Sequence, residues 1–123
     1  SAASDVYKRQ DNADVSIKIS ADDMKRVLSA ANQLGLPEVV VRGAEGSIAI
    51  VATDTKNPTS NEHSVTLGST NDNFSMVFKT ENLQKLGTSD YNVDISKAGI
   101  GHFKSTSKNI QYWIATETNS SYN

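Results

Sequence analysis

Residues capable of chemistry are present in this chain, but their spacing does not group them for it. The two histidines, His63 and His102, are far apart, and the chain contains no cysteine. Each histidine falls in an alternating stretch that reads as a strand. A zinc site needs several convergent ligands, so two lone histidines read as structural or surface side chains. Asp22 and Asp23 are adjacent. Neighbours on a helix do not face each other, and acids at a helix start are favoured by its dipole, so this pair reads as capping. Serines are plentiful, yet no G-x-S-x-G elbow occurs. Gly43, Gly46, Gly99 and Gly101 sit in turns and strands and form no phosphate loop. The chain is therefore read as a non-enzyme with no metal or cofactor.

Positive charge and aromatic surface remain. A helix with the inward stripe Met24, Val27, Leu28, Ala31 and Leu34 leaves Lys25 and Arg26 exposed, together with Asp22, Ser29, Asn32 and Gln33. A second, shorter helix exposes Gln84 and Lys85. By spacing alone these are solvated helix faces. Near the C-terminus Ile110, Tyr112 and Ile114 alternate with Gln111, Trp113 and Ala115. One of the two faces is core, and the alternation does not say which.

The elements that must position these residues follow from period and punctuation. Val15, Ile17 and Ile19 alternate with polar residues as in a half-buried strand. Ser20 is placed to cap the first helix, with Asp23 at capping-box spacing. Gly35 suits the left-handed stop and Pro37 prevents resumption. Residues 39–41 begin a hairpin that turns at 43–46 and returns through Ile48 and Ile50. Residues 54–61 are a loop by composition, and His63, Val65 and Leu67 alternate in a fourth strand. The order then restarts. Phe74, Met76 and Phe78 alternate, residues 80–86 read as a short helix stopped by Gly87, and strands follow at 91–95, 100–105 and 110–114. Residues 119–123 read as a polar tail.

Strand, helix and three strands thus occur twice, in half-repeats of about 14–70 and 71–119. VSIKISADDMKRV at 15–27 overlays FSMVFKTENLQKL at 74–86 without a gap, which sets Arg26 on Lys85. Beyond the helices the register shifts, and Val39 and Val41 are set on Val93 and Ile95. Each unit is too small to cover its own sheet face, so the two must share a core. Short turns make the strands antiparallel. The expected fold is α+β, with antiparallel sheets and two helices on one side.

The totals agree with one soluble domain. The chain has 123 residues, 37% hydrophobic and 21% charged, with a formal net charge of −2. That charge argues against coating nucleic acid by bulk positive charge, but leaves room for one basic face. No apolar run approaches the ~20 residues needed to span a bilayer, and no signal peptide is visible. The absence of cysteine is compatible with a reducing cytosol. The first ten residues, SAASDVYKRQ, resemble a translated sequencing-adapter remnant and are set aside as non-native.

The duplicated unit is similar to the domain plan of DNA sliding clamps. ISADDMKRVLSAANQLG followed by VVVRGAEGSIAI resembles the opening of the C-terminal domain of clamps from T-even-like tailed phages. HSVTLGSTNDNFSMVFKTENLQKLGTSDYNVDI resembles the crossing into that domain's second half, and IQYWIATETN its ending. The resemblance covers roughly residues 14–119 and rests on many co-linear weak matches. It implies a C-terminal clamp domain over 11–119, a tail at 120–123, and an N-terminal domain elsewhere.

The implied function is a DNA polymerase processivity factor, part of a homotrimeric ring around duplex DNA in the cytoplasm of an infected bacterium. Its partners would be sequence-independent double-stranded DNA and peptides of the polymerase and clamp loader, with no membrane. In that family the helices line the hole, which makes Lys25, Arg26 and Lys85 the DNA-facing candidates. The same resemblance puts Trp113, Ala115 and Thr116 at the rim of a pocket for a partner peptide. Thr116 stands where cellular clamps often have proline. The alternative is a non-catalytic phage structural or transcription-accessory module on the same fold.

Overall fold

The computed structural model describes residues 13–123; the segment set aside at 1–10 lies outside them. The first strand, β1, is Val15–Ile19 and leads into helix α1, Ala21–Leu34. Ser20 caps α1: its hydroxyl oxygen accepts the Asp23 N–H at 3.1 Å, satisfying one of the helix's orphan donors. Gly35 ends α1 at φ 66°, and the Leu36 N–H returns to the Ala31 carbonyl at 2.8 Å. A side chain would resist that left-handed geometry. Met24, Val27 and Ala31 are the buried stripe, while Leu34, placed inward by spacing, is 48% exposed in the last turn.

Strands β2 (Glu38–Ala44) and β3 (Ser47–Thr53) form a hairpin closed by Glu45 and Gly46, both at positive φ. That pair of conformations matches the twist of the flanking strands. Strand β4 (His63–Ser69) follows the loop, then β5 (Phe74–Lys79). After helix α2 (Thr80–Leu83) come β6 (Tyr91–Ser96), β7 (Ile100–Ser105), β8 (Gln111–Ala115) and a short β9 (Ser121–Tyr122).

The sheets interleave the two halves. One has the order β1-β6-β7-β8 and the other β4-β3-β2-β5-β9. All pairings are antiparallel. Each half donates its first strand to the sheet of the other, so neither sheet is complete without both. The inner faces of both sheets and the stripe of α1 share one core, which includes Ile19, Val27, Val41, Ile50, Phe78 and Phe103. Phe78 and Phe103 meet edge to face at 5.5 Å, a favoured aromatic geometry.

The registers correct the repeat alignment beyond the helices. Ile17 pairs with Val93 in the first sheet, and its overlay partner Met76 pairs with Val41 in the second. Val41 is therefore equivalent to Val93, and Val39 to Tyr91. The alignment of Val39 with Val93 and Val41 with Ile95 is out of step by one alternation. A shift of two residues keeps every side chain on its face, so the pattern alone could not detect it.

Two further elements differ from expectation. Helix α2 ends at Leu83, not at 86. The Lys85 and Leu86 N–H groups bond the Asn82 and Leu83 carbonyls at 3.3 and 3.1 Å, the tighter pattern of a 3₁₀ turn. Tertiary contacts hold the chain there. The Tyr91 hydroxyl donates to the Gly87 carbonyl, and the Tyr112 hydroxyl accepts the Gly87 N–H at 3.2 Å. Burial, then the neighbouring Tyr112, pushes the Tyr91 phenol above its ordinary range.

The polar C-terminal segment is also structured. The Glu117 N–H bonds the Val77 carbonyl at 2.7 Å, and Ser120 Oγ accepts the Val77 N–H at 2.9 Å. Strand β9 then pairs with Phe74 and Ser75, and the Tyr122 ring stacks on Phe74 at 5.7 Å.

Candidate functional site

Two surfaces carry the residues singled out above. The first is the helix side. The stripe that buries Met24, Val27 and Ala31 turns Lys25 and Arg26 to solvent, and both are exposed. Lys25 lines a groove of about 470 Å³ between α1 and the segment after α2, whose lining also includes Ser29, Asn32, Gln84 and Thr88. Lys85, also exposed, sits between Gln84 and Leu86 of that lining, on the 3₁₀ turn and not on the helix. Arg26 lies further round α1, away from the core stripe, by its 100° step from Lys25.

The two ion pairs among the described residues are Arg42–Glu62 at 3.2 Å and Lys79–Glu117 at 4.0 Å. Neither involves Lys25, Arg26 or Lys85. Three cations thus stand on the helix side with no carboxylate of the described residues within ion-pairing distance. Asp22 and Asp23 lie in the first turn of α1, where the dipole favours them. This arrangement can attract a polyanion through its charge; Lys25 and Lys85 act as point charges, and Arg26 alone carries a planar fork.

The second surface is the outer face of the four-stranded sheet. Here the structure settles the ambiguity of β8: Tyr112 and Ile114 pack on the core and Trp113 turns outward, 57% exposed. Ser16, Asp94, His102 and Trp113 stand in register across β1, β6, β7 and β8. Ser16 Oγ donates to Asp94 Oδ1 at 2.6 Å. The His102 imidazole lies flat against the Trp113 indole, 4.6 Å between centroids and 12° between planes. Gln111 Oε1 accepts from His102 Nε2–H at 2.8 Å. His102 is 9% exposed, so its ring is the covered one of the stacked pair.

Ala115 is exposed and faces Ile100, itself 42% exposed, across the strand pair. Thr116 is half-buried just past β8, with its N–H on the Gly99 carbonyl at 3.0 Å. Trp113 and Ala115 therefore share one face and Thr116 follows at its end. His102 and Gln111 belong to the same surface; by sequence His102 reads as a structural or surface histidine and Gln111 lies on the face of Trp113, but neither is assigned to the partner site. The alternation of β8 was readable, but neither the face that turns outward nor the register of β7 against β8 was.

Among the described residues no group of three or more His, Cys, Asp or Glu side chains is placed to hold a metal ion. No helix among them is long and apolar enough to cross a membrane.

The family described as "gp45 sliding clamp, C terminal" matches residues 16–118. A sliding clamp of Vibrio phage KVP40 is 35% identical over 103 residues, which cover 80% of this chain and 45% of that relative. The chain thus spans about half the length of the curated relative it matches.

Proposed function

Because this chain belongs to the gp45 sliding-clamp family, whose C-terminal part matches residues 16–118, we propose that it is the C-terminal domain of a DNA polymerase processivity factor. The family match carries this reading. An N-terminal domain completes the subunit, and three subunits close a ring around duplex DNA in the cytoplasm of an infected bacterium. The ring works by topology and catalyses no reaction. A closed ring cannot leave the duplex sideways, so tight binding is unnecessary, and an ATP-driven loader must open it.

Lys25, Arg26 and Lys85 face the DNA in this reading. They meet phosphates, not base edges, so contact is blind to sequence and compatible with sliding. Their lack of an ion pair among the described residues supports the role, because no partner there must be given up. Trp113, Ala115 and Thr116 form the surface for a peptide of the polymerase or the loader. The exposed indole supports this part, since aromatic side chains are favoured anchors at partner interfaces.

The test is the salt dependence of duplex binding by the assembled clamp carrying Lys25→Ala, Arg26→Ala and Lys85→Ala together. Each phosphate left without its cation removes about 0.9 from the slope of log affinity against log salt. Counting only one chain's three cations in contact with phosphate at a time, the parent's extra loss of affinity between 50 and 200 mM salt is roughly 40-fold relative to the variant. An unchanged slope removes these residues from the DNA-facing surface.

A further inference from the structure

Trp113 presents a contradiction that His102 resolves. A side chain 57% exposed ordinarily has few neighbours to choose its rotamer. A partner that captures such a ring must freeze it, at a cost of about 0.5–1.5 kcal/mol per ordered side chain. Here one face of the indole is already occupied. The His102 ring lies parallel to it at 4.6 Å. His102 in turn cannot swing freely, because its Nε2–H is held by Gln111 Oε1 at 2.8 Å. Gln111 precedes Trp113 by two residues on the same face of β8, so the strand that carries the indole also holds its support. His102 stands between Asp94 and Trp113 in the cross-strand row, and Ser16 holds Asp94 at 2.6 Å.

We infer that His102 is a positioning residue for the partner-binding surface, holding the Trp113 indole in its outward pose before any partner arrives, with Gln111 fixing the imidazole. The inference rests on the proposed partner role of Trp113. It assigns to His102 no contact with the partner, because the imidazole is covered. The indole is then a prepared anchor: its apolar ring is offered to the partner, and its ordering cost is met within the sheet. A flat ring at position 102 is the requirement, so phenylalanine should serve where alanine fails.

Trp113 is the one tryptophan of these 123 residues, so with any tryptophan elsewhere in the clamp replaced by phenylalanine the emission reports on this ring alone. The experiment compares the parent clamp with Trp113→Ala, His102→Ala, His102→Phe and Gln111→Ala. It measures affinity for the DNA polymerase of the same phage, and fluorescence anisotropy of Trp113 in the unbound clamp. The expected result is that His102→Ala lowers Trp113 anisotropy and weakens polymerase binding roughly two- to tenfold, the equivalent of one unfrozen side chain. His102→Phe, which keeps a flat ring but loses the Gln111 hydrogen bond, should restore most of both, to about the level of Gln111→Ala. Gln111→Ala, which alters an exposed residue and leaves the fold intact, should give a smaller change in the same direction. If Trp113→Ala weakens binding while His102→Ala leaves anisotropy and affinity unchanged, the positioning role alone is overturned. If Trp113→Ala binds polymerase as the parent does, the partner reading of Trp113 is overturned and the role of His102 with it.

Discussion

Replacing Tyr122 with alanine should cost this fold far more than a change next to the last residue of the chain suggests. The Tyr122 ring stacks on Phe74, with 5.7 Å between centroids and 12° between planes. Such a pair contributes about 1 kcal/mol beyond its buried area. The ring is half-buried against the core, and losing that coverage adds roughly 1–1.5 kcal/mol at the usual value per unit of apolar surface. The hydroxyl also donates to Asp72 Oδ2 at 3.1 Å; a partly solvated bond of this kind is worth about 0.5 kcal/mol net.

The expected loss is therefore about 3 kcal/mol, or roughly 10 °C of melting temperature for a chain of this size. Urea unfolding measures it directly. Tyr122→Phe keeps the stack and should lose less than about 1 kcal/mol. Amide exchange supplies a local readout: the Val77 N–H, held by Ser120 Oγ, should exchange faster in Tyr122→Ala. A variant within about 0.5 kcal/mol of the parent, the scale of ordinary surface changes, with Val77 still protected, would refute the claim that the tail is docked by this ring.

Other outcomes follow from single contacts. A Cβ at Gly101 would lie 2.8 Å from Phe78 Cζ and 3.1 Å from Phe103 Cε1. Both rings are buried, so Gly101→Ala should destabilise by about 1–3 kcal/mol in thermal unfolding, the usual cost of overpacking. Hydrogen bonds from Arg42 and then Thr53 hold the Glu62 carboxyl below its ordinary range. Its contribution is therefore present above the unfolded carboxylate value and is lost as pH falls through the lower folded one. The Glu62 side chain is 43% exposed, so that contribution is well under about 1 kcal/mol after solvent screening. Arg42→Met should flatten this part of the stability-against-pH curve in acid denaturation.

Much of the fold was legible because its signals are local. Ser20, the stripe through Met24, Val27 and Ala31, and Gly35 delimit α1 from within one stretch of chain, and helix spacing exposes Lys25 and Arg26 whatever surrounds them. The alternation in each strand likewise names two faces. The order of elements, repeated twice, points to a shared core, because one half cannot cover its own sheet.

Where a period is degenerate, only long-range contacts decide. The alternation of β8 offers two equivalent faces, and Tyr112 turns inward because its hydroxyl meets Gly87 and its ring meets Tyr91 at 6.2 Å. Trp113 then has no choice but to face outward. The repeat alignment could slip by two residues because such a slip moves nothing from core to solvent; the pairing of Ile17 with Val93 and of Met76 with Val41 removes that freedom. Helix α2 stops early because Tyr91 and Tyr112 seize Gly87 from outside the segment. The tail forms a strand because β5 has an open edge, and nothing in the residues 119–123 announces that edge. His102 lies under Trp113 for the same reason: the two are eleven residues apart, and only the register of β7 against β8 brings an imidazole and an indole face to face.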